Sequence, residues 1–443
     1  MGSGGAKPPG TRVDPLDYVF SLEKLGIKFG LHNISVLCEA LGHPERAYRS
    51  VIVAGTNGKG SVTAMVETAL HAAGLATARY TSPHLIRLEE RFVINGRPVD
   101  PRQLRDVAAL MPAVVARLRE RDELHAEPTF FEVTTVIGFE LFRRAAVDIA
   151  VLEVGMGGRF DATSIAPACA AVITSIDFDH ERYLGSTLSQ IAFEKAGVIK
   201  WGMPVVVGES KEEPLSVIAE ACAEREATLV RATDGVSLDT RLMDGRTELR
   251  LATPRRRYPP LRLALRGRHQ VINAAVTVRL LEELERLGQP VSERAIVAGL
   301  TEVSWRGRLD LMTTPRGPVL FDGAHNPAGA AVLAAYLEEV YSAGIPMVFG
   351  AMADKDVASM LRFLLPRVTR LIVTRPRTPR ARAAGEIAEV ARQVGNTDVA
   401  VVEPAIEALN RAHEFGSPAL VAGSIFLIGD LMADLGASAR PQP

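Results

Sequence analysis

The chain has 443 residues, 51 basic against 52 acidic side chains and a net charge of −1. At roughly 150 residues per domain this length suggests about three domains or two large ones, and the balanced charge supplies no global field for nucleic acid or an anionic membrane. The three cysteines (Cys38, Cys169, Cys222) are odd in number and lack CxxC spacing, and aromatics are only 5%. A disulfide framework, a zinc knuckle and an aromatic stacking platform are thereby excluded as organising principles.

The first dozen residues are rich in Gly and Pro, which predicts disorder. They hold no apolar signal core, and Ala6 stands where a myristoylation pattern wants Ser or Thr. No apolar run nears the ~20 residues of a membrane helix, so a cytoplasmic protein without membrane contact is expected. From Asp14 the pattern is α/β. Val51–Val53 reads as a strand running into a glycine-rich turn, with a helix from about 61 to 73. Helices are predicted over 131–145 and 187–196, and buried strands over 147–154 and 170–175. Strands separated by helices imply a parallel sheet covered on both faces. Residues 236–266 differ, with short alternating runs and the turn signals Asp234-Gly235 and Asp244-Gly245. A small antiparallel layer is predicted there.

A second α/β alternation starts near 308, with strands at 318–321, 346–350, 369–373, 398–402 and 419–422. Helices fill 328–342, 355–365, 384–394 and 404–414, and the tail from Ala437 is expected to fray. The joint falls at 302–307, after a helix over 292–300. Two domains follow, 14–303 and 304–436. The predicted class is α/β: a large N-terminal P-loop-type domain with a mostly parallel sheet and a small antiparallel layer, then a smaller C-terminal Rossmann-like α/β domain.

The strongest local signal is Gly55-Thr56-Asn57-Gly58-Lys59-Gly60-Ser61, between a strand and a helix. Glycines let backbone N–H groups approach an anion, and the helix N-terminus adds favourable partial charge. Lys59 would reach the β/γ-phosphates and Ser61 could ligate Mg²⁺. The standard pattern has Lys followed directly by Ser or Thr, whereas Gly60 intervenes here. The bland alternative is a glycine-rich turn with a solvated lysine. Glu153 ends the strand 147–154 and His180 follows the strand 170–175, at the edge where sites of open α/β sheets gather. With Ser61 they could meet in one metal-and-phosphate pocket, or be a solvated carboxylate and a satisfied loop histidine.

This variant loop resembles that of the Mur-ligase superfamily of ATP-dependent amide ligases, most closely the branch of folylpolyglutamate synthase and dihydrofolate synthase. Further segments carry the resemblance in order: Thr81-Ser82-Pro83-His84-Leu85, residues 153–163 (EVGMGGRFDAT), the block 177–200 ending in EKAGVIK, and Gly267–Asn273 (GRHQVIN). Arg306-Gly307-Arg308, Asp322–Asn326 (DGAHN), Ala353–Asp356 (ADKD) and Gly423–Gly429 complete the series. The departures are small: Met156 and Phe160 replace leucines, and Phe426 stands where Tyr is common.

The resemblance implies that 14–303 is the ATP-binding central domain and 304–436 the glutamate-ligase domain. It carries over Ser61 and Glu153 as Mg²⁺ ligands and His180 as ligand of a second Mg²⁺. It makes Lys195 a carbamylated lysine, although composition alone would call it a surface residue. Gly55, Thr56, Asn57, Gly58, Lys59, Gly60 and Ser61 hold ATP with His269, Gln270, Asn273 and Arg308. Lys59 and Lys195 serve catalysis, while Asp322, His325 and Ser82 place the incoming glutamate. Taken alone, Asn326 before Pro327 is a helix cap, and Arg306 and Arg308 are linker arginines.

The pterin end is expected near 80–92 and the helix opening at Phe130-Phe131-Glu132, with Phe131 as a flat apolar face. The clusters Arg255–Arg257 and 375–382 read as solvated turns, the first with some appeal for an acidic polyglutamate tail. The expected reaction joins L-glutamate to a pterin or folate carboxylate (dihydropteroate, a tetrahydrofolate polyglutamate, or both) through an acyl phosphate, with ATP and two Mg²⁺ ions, in a monomer. The alternatives are another Mur-type amino-acid ligase and a P-loop ATPase switch.

Overall fold

The structure, a computed structural model, describes residues 14–436 apart from 27, 29, 396 and 397. The segment 1–12 and the tail from 437, where disorder and fraying are expected, lie outside the described residues.

The first sheet contains β1 (Arg49–Ala54), β2 (Thr77–Tyr80), β3 (Phe92–Ile94), β4 (Arg97–Pro98), β5 (Ile149–Glu153), β6 (Ala170–Ile173), β7 (Pro204–Val207) and β8 (Thr228–Arg231). Their spatial order is β4-β3-β2-β5-β1-β6-β7-β8. The six strands from β2 to β8 run parallel, and the β3–β4 hairpin adds an antiparallel edge. Central strands are apolar on both faces, as a sheet covered by helices requires. Ile52 and Ala54 enter one core with Leu152 and Ile173, while Val51 and Val53 enter a second with Val151 and Val172. A three-stranded antiparallel sheet of β9 (Ser237–Met243), β10 (Arg246–Ala252) and β11 (Leu261–Arg262) closes over the second core.

The second sheet is built of β12 (Asp310–Thr314), β13 (Gly317–Phe321), β14 (Ile345–Phe349), β15 (Val368–Val373), β16 (Val399–Val401) and β17 (Ala419–Ala422), in the order β12-β13-β17-β14-β15-β16. Only β12 is antiparallel. Alternation again splits the strands between two cores, Met347 and Phe349 on one side and Val348 on the other. The expected strands and helices appear within a few residues of their ranges. Sequence reading passed over β2, β3, β4, β7, β8 and β12, which are two to five residues long and carry too little periodicity to identify. Among the described residues no helix is long and apolar enough to cross a membrane.

The helix Lys59–Ala72 leaves the C-terminal end of β1, and Glu153 stands at the end of β5 beside it. Both therefore lie on the carboxyl edge of the parallel sheet. Asp322 follows β13 on the corresponding edge of the second sheet. The stretch 302–309 joins the two lobes.

Candidate active site

The turn 55–58 is sutured to the end of β6. Thr56 N donates to Ser175 O at 2.7 Å, and Thr174 Oγ1 donates to Asn57 O at 2.6 Å. The Thr56 hydroxyl donates to Asp177 O at 3.1 Å and accepts from Asp177 N at 3.0 Å. Gly55 has φ +140°, and a Cβ there would overlap the Thr174 hydroxyl; only glycine fits. Gly60 has a different reason. A Cβ on it would lie 2.7 Å from the Trp305 ring. The residue that interrupts the usual loop pattern thus also makes room for the Trp305 ring of the interlobe joint.

Lys59 Nζ donates to Gly55 O at 2.9 Å and Thr56 O at 3.0 Å. Lys195 Nζ donates to the same Gly55 carbonyl at 2.9 Å. Lys195 is 4% exposed, so the surface reading of its composition is overturned. Burial, and then the charge of Lys59, bring its amine down to about 7. Burial also lowers Lys59, against the pull of Glu153 and Asp179.

Glu153 is buried, not solvated. Its Oε2 accepts the Ser82 amide at 3.2 Å, and among the described residues it stands in no ion pair. Burial raises its carboxyl, with Lys59 the strongest opposing influence. The Ser61 hydroxyl accepts Gln270 Nε2 at 3.2 Å, and Gln270 Oε1 accepts Asn273 Nδ2 at 2.9 Å. Asn273 Oδ1 lies 2.6 Å from the point where a Cβ on Gly58 would project. The row 269–273 is therefore laid along the phosphate loop. The His269 imidazole is held down to about 4 by burial and Arg308.

Among the described residues no three His, Cys, Asp or Glu side chains group as a metal site by themselves. A single buried carboxylate outside any ion pair, on the same sheet edge as the Ser61 hydroxyl, still suits Mg²⁺, which keeps water and phosphate oxygens as its other ligands. His180 caps the short helix Glu181–Leu184 with φ 53°, and burial lowers its imidazole to about 4 despite Asp179. A neutral imidazole is the form that can ligate a metal.

The second lobe presents the loop 322–326. Asp322 is buried and both its oxygens are used on backbone: Oδ2 accepts Leu309 N and Oδ1 accepts Ala324 N, each at 2.9 Å. It pins the loop to the joint. His325 Nδ1 donates to Gly323 O at 2.8 Å, since a carbonyl only accepts, which leaves Nε2 facing Asp179 Oδ2 at 3.4 Å. Asn326 Oδ1 does cap the helix Pro327–Val340, through Gly329 N at 2.8 Å. Its Nδ2 also reaches Asn57 Oδ1 and Asp179 Oδ2, each at 3.1 Å. Arg308 packs against Gly323, whereas Arg306 binds Asp310 at 2.7 Å within its own lobe.

Two readings of the surroundings change. The Phe131 ring lies against Gly155, 2.7 Å from where a Cβ would stand, and 6.1 Å from Tyr80. The ring is partly buried, with its edge against Gly155. Phe130 instead meets Phe20 at 6.1 Å and carries the Arg91 guanidinium at 5.1 Å. The Arg255–Arg257 turn is not simply solvated, because Arg255 and Arg256 bind Glu282 O and Glu285 on the helix His269–Arg286. In 375–382, Arg377 pairs with Asp434 at 2.6 Å and Arg382 donates to Ala353 O at 2.9 Å. Asp179, Lys355 and Trp305 were not singled out beforehand. The first two sat inside noted segments, but nothing in a sequence pairs residues 176 positions apart.

The family described as "Mur ligase, glutamate ligase domain" matches residues 307–425. The dihydrofolate synthase/folylpolyglutamate synthase of Bacillus subtilis is 32% identical over 425 residues, covering 94% of this chain and 97% of that one. The structure of Mycobacterium tuberculosis folylpolyglutamate synthase complexed with ADP superposes with a TM-score of 0.88 at 32% identity, covering 97% of this chain and all of that one. A bifunctional folylpolyglutamate synthase/dihydrofolate synthase with Mn, AMPPNP and L-glutamate bound gives a TM-score of 0.83 at 30% identity, covering 97% and 100%. With loop, carboxylate and second-lobe loop in one cleft, the chain belongs to the folylpolyglutamate synthase/dihydrofolate synthase family of Mur ligases, ATP-dependent enzymes that ligate glutamate to folates.

Proposed function

We propose that this chain activates the free carboxylate of a pterin or folate substrate as an acyl phosphate and captures it with the amine of L-glutamate. The carboxylate oxygen attacks the γ-phosphorus of ATP and ADP leaves. The glutamate nitrogen then attacks the acyl carbon, inorganic phosphate departs and the amine loses its proton. The arrangement that carries this reading is the meeting of the 55–61 loop with the 322–326 loop through Asn57 and Asn326. It sets the phosphate cradle of one lobe against the glutamate-placing loop of the other, where water can be kept from a labile mixed anhydride.

Lys59 and the loop amides neutralise and align the phosphates. Gln270 and Asn273 hold the Ser61 hydroxyl and the loop in place, and Arg308 adds positive charge from the joint. Ser61 and Glu153 would hold one Mg²⁺ and His180 a second, supplying charge neutralisation at the triphosphate. Lys195 as a carbamate would turn a buried cation into an anion near those ions. Asp322 fixes the loop that places glutamate, Ser82 contributes from the first lobe, and His325 of that loop helps to place the amino acid. The division into 14–303 and 304–436, a monomeric state and a cytoplasmic location belong to the same reading.

The test is coupled ADP release with glutamate present, comparing dihydropteroate with a tetrahydrofolate. Stimulation by either supports the reading, and acyl phosphate should be trapped when glutamate is left out. Turnover with a cell-wall nucleotide and with neither pterin would overturn it, as would phosphate release without any acceptor.

A further inference from the structure

Three donors and the His325 ring converge on one carboxylate at the carboxyl edge of the first sheet. Asp179 follows β6, and its side chain is 10% exposed. Its Oδ1 accepts Lys355 Nζ at 2.7 Å and the His180 amide at 2.9 Å. Its Oδ2 accepts Asn326 Nδ2 at 3.1 Å and faces His325 Nε2 at 3.4 Å. Three of the four partners come from the second lobe. Lys355 is nearly as enclosed, 11% exposed, and its loop is braced by Arg382, which donates to the carbonyls of Ala353 and Lys355. A charge-assisted contact between enclosed groups is strong and directional, and losing one partner leaves the other charge uncompensated. The set can form only when the two lobes meet in this register.

We infer that Asp179 is the positioning residue that brings the second lobe into register over the phosphate loop, receiving Lys355, Asn326 and His325 on one carboxylate, a role that rests on the ligase reading above. The partners of Asp179 are His180, His325, Asn326 and Lys355. It acts through His325 and the 322–326 loop, so it governs amine capture more than nucleotide loading, which rests mainly on the first lobe's own loop.

The test uses the full chain with Asp179→Asn, Lys355→Met and the double variant. Two readouts are needed: steady-state ligation with glutamate varied, and amide hydrogen exchange of 323–326 and 353–357 in the protein alone. Each single change should raise the glutamate KM and lower kcat by about tenfold, and the double variant should lose little more than either single. Lys355→Met should leave the affinity for a non-hydrolysable ATP analogue within about twofold, and Lys355→Arg should recover most of the activity. Exchange should quicken in both second-lobe segments and stay unchanged in β5. Multiplying effects in the double variant, or unchanged exchange in both segments, would overturn the inference. Because Asp179 adjoins His180, Lys355→Met alone decides if Asp179→Asn does not fold. Quickened exchange in the variants of a parent chain that ligates no pterin would sink the ligase reading and leave the register contact standing.

Discussion

An amine captures carbon dioxide only in its neutral form. Lys195 Nζ, enclosed and sharing the Gly55 carbonyl with Lys59, is brought down to about 7. At pH 7.5 roughly three quarters of such amines are neutral, against roughly one in a thousand for a lysine near 10.4. That several-hundredfold enrichment makes carbamylation feasible at ordinary bicarbonate concentrations. Ligation in buffer stripped of carbon dioxide should therefore fall severalfold and recover on adding bicarbonate. The recovery should weaken as pH drops below about 7, where the ammonium form returns. Carbon-13 bicarbonate should give a lysine carbamate signal that Lys195→Met abolishes. Stability provides an independent check. The folded value lies below the unfolded one, so the unfolded chain binds the extra proton between about pH 7 and 10.5, and stability rises with pH across that window. Lys195→Met should flatten this rise and stabilise most below pH 7, as read by urea midpoints. Activity indifferent to carbon dioxide, together with density for a bare amine at full occupancy, would refute the reasoning.

Lys59→Ala should cut kcat by roughly a hundredfold or more while circular dichroism and melting stay near wild type; near-normal turnover would remove Lys59 from phosphate transfer. Gly60→Ala drives a methyl into Trp305 and should destabilise by about 1–3 kcal/mol, with Gly60→Ala/Trp305→Leu regaining much of the loss in thermal melts. His84 and His269 are held neutral, to about 3 and about 4, chiefly by burial and then by Arg91 and Arg308. Unfolding frees each to bind a proton at its ordinary value, so stability should fall as pH drops from about 6.5 towards 4. Urea titrations should show a shallower fall in His84→Gln, and an unchanged slope would mean that the imidazole is already charged in the fold.

Much of the architecture could be read because long apolar strands and helix periods are local signals. The loop 55–61 and the segments ending in Glu153 and at Asp322–Asn326 were legible for the same reason: each chemical group sits next to the strand end that presents it. What could not be read was set by distant partners. Asp322 carries a polar side chain in a glycine turn, but its engagement with Leu309 and Ala324 is a tertiary fact. Phe131 is legible as an apolar ring, but its setting beside Gly155 and Tyr80 is a tertiary fact. Gly60 reads as a departure from a phosphate motif until Trp305, 245 residues later, is placed upon it.

The arginine-rich stretch 375–382 has a practical consequence. It looks like decoration on the outside of the second lobe, yet Arg382 grips the backbone that carries Lys355, and Arg377 ties the same stretch to Asp430 and Asp434. Replacing these side chains to improve solubility or crystal growth would loosen a catalytic cleft that they never enter. A surface-engineering campaign on this enzyme should leave both untouched.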